Sequence, residues 1–328
     1  MGNVHSTQLI GGLPGAQSRS EVPTLLVSNN RIGDQYDITY GLNRRRDATK
    51  TYTFPEGKAP PRQIDLRVTT FAPYFEPFDQ HNSGSCTAQT VKAAFMCFER
   101  AQSKEKASFV EPSALFIYYY ARVIDEETRS TGTITDTGTS VVSSLMSAQR
   151  GIASVETWPF DRSLVNTKPS VVAQRDALHR RVTRWVNLDP SLTNIKNALA
   201  SGTAVIMSFD VTRSMDEWFL TPGRQYNTGH MLTRNTITQF RDIVGGHAVL
   251  LVGYDDKYLG KGAFIARNSW GPLWGDRGHF YIEYGGALYP DLHTDFHAIT
   301  GICTNRAGFC VNQSDCTYDS VVCDVLSQ

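Results

Sequence analysis

The sequence predicts an α+β protein of two lobes, and three observations carry that prediction. Apolar residues recur at helical spacing from about Thr87 to Gly151. Short β-rich runs bounded by glycines follow, from about Thr203 to Tyr284. Helices and strands are segregated along the chain, which points to α+β layering with a cleft between a helical half and a strand half.

Each element has a local reason. Val91, Ala94, Phe95 and Phe98 share one helical face, with Lys92, Glu99 and Arg100 off it, so an amphipathic helix is expected to start at or near Cys86. "PSALFIYYYARVIDEE" reads as a second helix, with Pro112 in its first turn. "SVVSSLMSAQRG" reads as a third, closed by Gly151. The runs at 203–209, 246–254, 262–270 and 278–284 read as strands. No internal repeat is visible.

Residues 1–62 differ from the rest. They are rich in Gly, Asn, Arg and Pro, lack helical periodicity and end in an extended Pro60-Pro61 joint. The segment reads as an arm or short pro-segment. Its "RRR" (Arg44 to Arg46) is a solvated surface run or a processing site. Residues 63–302 form the expected catalytic domain, and 303–328 a cysteine-rich tail.

The chain has 328 residues, enough for a large core, with 41% apolar and 20% charged residues. Lys+Arg and Asp+Glu both number 32, so no broad basic field favours nucleic acid. No run reaches the ~20 apolar residues that span a bilayer, and no secretory signal is seen at the N-terminus. Met1-Gly2 with Ser6 fits an N-myristoylation pattern, a weak anchor at most. Six cysteines are present, four of them in the tail and none between Cys97 and Cys303. A core not built on disulfides favours folding in a reducing compartment, hence an intracellular or particle-associated protein; a monomer is expected. In the tail, Cys303, Cys310, Cys316 and Cys323 are spaced too widely for zinc pairs; two disulfides are the alternative to four thiols. No metal or other cofactor is expected.

The chemistry centres on Cys86. A thiol attacks as its thiolate, which the N–H groups at a helix N-terminus favour. Ser83-Gly84-Ser85 let the backbone turn sharply before it. The alternative is a small buried side chain near a turn. His247, opening the run "HAVLLVGY" after two glycines, could hold and return the proton, or be a satisfied core histidine. Asn268 could fix its tautomer beneath Trp270 and Trp274, or cap a turn. Gln80 could join the Cys86 N–H in an oxyanion hole, or be an exposed turn residue.

"DQHNSGSCTA", "GGHAVLLVGYDD" and "FIARNSWGPLWGDRGHFYI", in that order, resemble the three signature blocks of the papain-like cysteine peptidases. "QIDLR", "PSALFIYYYAR", "DTGTS" and "GIASVETWPF" resemble its connecting segments, so the likeness covers residues 63 to about 302. It implies a helical left lobe, a β-barrel-like right lobe and hydrolysis of peptide bonds in an extended polypeptide. It also implies Cys86 as nucleophile, His247 as acid/base, Asn268 as orienter and Gln80 as oxyanion donor. Gly138 and Gly246 would offer backbone bonds to the peptide, and Met207 and Ala248 would line the main specificity pocket. A papain-like scaffold that only binds peptides, or an isopeptidase or transferase with the same triad, are the competing functions.

Three departures stand out. Ser83 occupies the position of a cysteine that secreted and lysosomal members bond to the next segment, and "TITDTGTS" has no partner for one. The disulfide-poor pattern resembles the non-secreted microbial or viral branch. Thr87 replaces the usual Trp after the nucleophile. The arm is too short for a long helical inhibitory prodomain, yet long enough to cross the cleft as a zymogen's pro-segment would.

Overall fold

Helix α2 (Cys86–Gln102) runs through the middle of the molecule, and the other elements are arranged around it. The structure is a computed structural model that describes residues 40, 42, 51–55, 59–69, 76–102, 109–129, 134–221 and 230–304. Gly2, Arg44 to Arg46, Cys310, Cys316 and Cys323 lie outside the described residues.

The chain enters through β1 (Gln63–Asp65) and the short α1 (Leu66–Thr69). After α2 come α3 (Ala114–Arg129) and α4 (Val141–Arg150), both packed on α2. Pro112 does not sit in the first turn of α3: it forms a bridge with Ser154, and Ser113 accepts the Phe116 N–H at 3.1 Å as a cap does. Helix α4 is capped by Ser140 and closed by Gly151, as expected. At φ 148° Gly151 leaves no room for a side chain, because a Cβ would lie 2.7 Å from the Ala177 carbonyl.

The second half holds α5 (Val171–Ala177), β2 (Arg180–Asn187), α6 (Leu192–Ala200), β3 (Val205–Thr212), α7 (Arg213–Leu220) and α8 (Arg234–Gln239). Then come β4 (Ile243–Asp255), β5 (Ala263–Arg267), β6 (His279–Glu283), α9 (Tyr284–Ala287) and β7 (Asp295–Thr304). All seven strands join one antiparallel sheet in the order β2-β7-β3-β4-β5-β6, with β1 added beside β4.

The sheet is open rather than closed into the barrel-like lobe expected. Strands β2 and β6 end it, and other segments take bonds there. Tyr52 donates to the Asn187 carbonyl at the end of β2, and Leu232 exchanges two backbone bonds with Tyr281 and Glu283 of β6. These contacts satisfy the end strands without closure.

Two further differences concern burial. Lys92 was expected on the solvent side of its helix, but it is only 4% exposed, since helices and sheet cover α2 all round. Its ammonium meets Glu111 at 2.5 Å and lies over the Phe78 ring. Burial lowers its pKa to about 8 against the opposing pull of Glu111. Strand β7 extends to Thr304, so Cys303 is a buried sheet residue opposite Arg181. At the other end, residues just before 63 are tied to the same body, since Tyr254 donates to the Pro61 carbonyl and Phe54 to Asn194 Oδ1.

Candidate active site

Cys86 is the first residue of α2, so its own N–H belongs to the helix start, where no intrahelical acceptor exists. One side chain links this helix to the strand that carries His247. The Thr90 hydroxyl lies 2.8 Å from the Cys86 carbonyl and 3.1 Å from that of Ala248. The thiol-bearing turn and β4 are thereby fixed against each other.

The loop before Cys86 is held by hydrogen bonds. Ser83 donates to the Gln80 carbonyl at 2.7 Å and lies 2.8 Å from the Ser85 hydroxyl. The Gly84 N–H and the Tyr118 hydroxyl both donate to Asp136 Oδ1, at 2.9 and 2.5 Å. A Cβ on Gly84 would stand 2.7 Å from the Tyr118 hydroxyl and 2.9 Å from Gly138 N. The tie to the facing segment, made by a disulfide in secreted papain-like proteins, is therefore made here by Asp136. The described cysteines, Cys86, Cys97 and Cys303, are all buried and outside disulfides.

Gln80 is wholly buried, which removes the exposed-turn alternative. Its amide nitrogen donates to the Ser83 carbonyl at 2.8 Å, and its oxygen accepts from Ser269 at 2.5 Å. Its backbone N–H bonds the Ser269 carbonyl at 2.8 Å, and Asp79 bridges Trp270. The first and third sequence blocks are thus stitched together. Thr87 points away from the cleft into the helical lobe, where its hydroxyl accepts from Ser144 at 2.9 Å.

His247, on β4, is fully buried, and its Nε2 is 2.8 Å from Asn268 Oδ1. An amide oxygen only accepts, so the ring carries its proton on Nε2. Nδ1 is buried and makes no hydrogen bond among the described residues. Burial lowers the His247 pKa to about 4, with the Asn268 bond opposing. Asn268 Oδ1 also accepts the Ser269 N–H at 2.9 Å, which fixes the amide's orientation. Trp270 stacks on the imidazole at 4.9 Å and 23°, and Trp274 and Phe219 stand edge-on to Trp270. This aromatic cluster shields the His247–Asn268 bond from water.

One expected substrate contact, the shared pocket of Met207 and Ala248, is corrected. The Gly138 N–H is taken up by the Tyr118 hydroxyl at 2.9 Å, and the residue at φ 75° serves the close approach to Gly84. The neighbouring Thr139 forms a parallel bridge with Leu42. Met207 and Ala248 face opposite sides of the sheet, because β3 pairs Met207 with Val249 and Ser208 with Ala248. They cannot line one pocket; Ser208 shares the face of Ala248, and a one-residue shift in β3 accounts for the difference. Gly246 does offer its carbonyl, and the donor is the chain's own Leu42 N–H at 3.0 Å.

The arm therefore reaches the cleft. Tyr40 is only 5% exposed, with its ring 5.8 Å from that of His247 and 6.1 Å from that of Trp270. Its hydroxyl donates to Asp216 Oδ1 at 2.7 Å. Burial raises the Asp216 carboxyl pKa, and the Tyr40 bond opposes the rise. Gly245 makes the fit possible, since a Cβ there would lie 2.8 Å from Tyr40 Cβ. Neither Tyr40 nor Asp216 was found from sequence; a lone tyrosine in a polar arm carries no local signal of docking.

No group of three or more His, Cys, Asp or Glu residues suited to a metal occurs among the described residues. No helix among them is long and apolar enough to cross a membrane.

The chain is similar to known proteins over this same body. A peptidase C1-like protein of Acanthamoeba polyphaga mimivirus is 28% identical over 246 residues, covering 72% of this chain and 73% of its own. The crystal structure of xylellain, a cysteine protease from Xylella fastidiosa, superposes with a TM-score of 0.65 at 27% identity, over 84% of this chain and 100% of that one. Digestive procathepsin L 3 of Tenebrio molitor shares the fold at a TM-score of 0.55 and 18% identity, over 76% of this chain and 74% of that one. The sequence model of the papain family of cysteine proteases matches residues 60–289, which hold the Cys86 turn, the His247 strand and the Asn268 loop. The chain is a member of the papain family, a papain-like cysteine peptidase.

Proposed function

We propose that the protein cleaves peptide bonds with Cys86 as nucleophile and His247 as acid and base. The observation that carries this reading is the His247–Asn268 bond at 2.8 Å, which puts the ring proton on Nε2 and leaves a buried Nδ1 for exchange with the thiol. The Thr90 hydroxyl between the carbonyls of Cys86 and Ala248 supports the placement of thiol and ring on facing elements.

In this reading the Cys86 proton passes to His247 Nδ1, and the thiolate attacks the substrate carbonyl carbon. The carbonyl oxygen gains charge and is met by the Cys86 N–H and a Gln80 amide N–H. As the C–N bond breaks, Nδ1–H gives its proton to the leaving amine. Water then attacks the thioester. Its proton goes to Nδ1 and on to the departing sulfur, so the acid leaves and the enzyme is restored. Asn268 keeps the ring in one tautomer throughout.

Residues 1–62 act as an inhibitory arm. Leu42 uses the Gly246 carbonyl that a peptide would use, and Tyr40 covers the His247 and Trp270 rings. The cleft is thus closed to substrate until the arm moves.

A thiol-reactive peptidyl epoxide tests the assignment, applied to a full chain carrying Tyr40→Ala and Leu42→Ala. Labelling and peptide turnover are expected there, and both are expected to vanish on adding Cys86→Ala. Labelling that persists without Cys86 removes it from the role, and absence of both in the opened chain favours a binding scaffold.

A further inference from the structure

The pocket that holds Tyr40 is a built one. Its walls are the rings of His247 and Trp270, Gly245 leaves room for the Tyr40 side chain, and among the described residues the hydroxyl's acceptor is Asp216, in the first turn of α7. Asp216 lies 176 residues from Tyr40 in the chain, and nothing in the proposed chemistry uses it. Flat aromatic walls with one carboxylate at the end fit a flat side chain tipped with a donor.

The position of the pocket relative to the scissile bond follows from the reaction. The leaving amine takes its proton from His247, so the fragment it belongs to lies on the side of His247 and Trp270. Tyr40 is on that side. Leu42, at Gly246 and opposite Thr139, marks the other side, where the acyl fragment lies. The arm therefore runs from the leaving side to the acyl side, against the direction of a peptide being cut. Its pairing with Thr139 is parallel. A reversed main chain still presents a side chain to the same pocket, so Tyr40 stands in for a substrate residue without being placed for cleavage.

We propose that this pocket receives the first residue of the leaving fragment and that Asp216 makes it select tyrosine over phenylalanine. The inference rests on the peptidase reading above. One hydrogen bond from a phenol to a carboxylate in a partly dry site favours the hydroxylated residue by about tenfold. In the resting chain Tyr40 meets the same preference, so the residue that closes the cleft and the residue the open cleft selects are of one kind.

The test uses the full chain opened by Tyr40→Ala and Leu42→Ala. Quenched fluorescent peptides differ only in the residue after the scissile bond, Tyr or Phe. The ratio of their kcat/KM values is read in three backgrounds: Asp216, Asp216→Asn and Asp216→Leu. A Tyr:Phe ratio of about ten is expected with Asp216. It should persist largely with Asn, whose amide oxygen still accepts, and fall to about one with Leu. Turnover with a ratio that Asp216→Leu leaves unchanged overturns the pocket assignment and leaves the peptidase reading standing. An opened chain whose Cys86 labels but which cleaves neither peptide overturns the peptidase reading and this one with it. An opened chain in which Cys86 stays unlabelled and neither peptide is cleaved favours the binding scaffold, and the pocket assignment falls with the peptidase reading.

Discussion

Asn268 Oδ1 lies 2.8 Å from His247 Nε2, buried beneath the Trp270 ring that stacks on the same imidazole. One side chain thereby sets both the tautomer and the orientation of the ring. Asn268→Ala removes the acceptor and leaves the Nε2–H buried without a partner. We expect kcat/KM in the opened chain to fall on the order of 100-fold, the scale of a general acid–base contribution. The pH profile should also change, since Asn268 supports the charged ring. A variant with unaltered kcat/KM and pH profile would remove Asn268 from the mechanism.

The acid limb of stability should carry a histidine signature. Burial holds His247 at a pKa of about 4 and His279 at about 3, against an ordinary 6.5; Arg267 and Arg67 also lower His279. As pH falls below 6.5 the unfolded chain takes up these protons first, so stability is complete above that value and declines toward pH 3 to 4. The His247 share is about 3 kcal/mol at the acid end. His279→Asn, remote from the thiol turn in sequence, should flatten the fall in Tm between pH 6.5 and 4. A fall identical to the wild type's would show that His279 is not held neutral.

Gly84→Ala places a methyl 2.7 Å from the Tyr118 hydroxyl and 2.9 Å from Gly138 N. Backbone must shift to admit it, at a cost of about 1–3 kcal/mol, read from urea denaturation. Because Gly84 is two residues from Cys86, the same change should slow thiol labelling in the opened chain. Adding Tyr118→Phe relieves the nearer clash but not the one with Gly138, so only partial recovery is expected. Wild-type stability in Gly84→Ala would contradict the close approach.

The residues legible in the sequence are those whose signal is local. The helix starting at Cys86, the closure of α4 by Gly151 and the strand opening on the His247 block each depend on a few neighbours. Strands β2 and β7 gave no such signal. In β2, Arg180, Arg181 and Arg184 read as surface, and in β7 His297 and Gly301 break the apolar run. Periodicity put Lys92 in solvent because it cannot tell a helix covered on one side from one enclosed on all sides. The resemblance points to Met207, and the register that puts Ser208 on the face of Ala248 instead depends on pairing with β4, which the β3 sequence alone does not state. Tyr40 and Asp216 meet only through the whole fold.

Asp136 does more than replace a covalent link. Reductant protects a sulfur nucleophile from oxidation, whereas strong reductant can open a labile cystine that braces its seat. With the Cys86 turn anchored by oxygen and nitrogen atoms alone, strongly reducing conditions should preserve the nucleophile without loosening the loop that presents it.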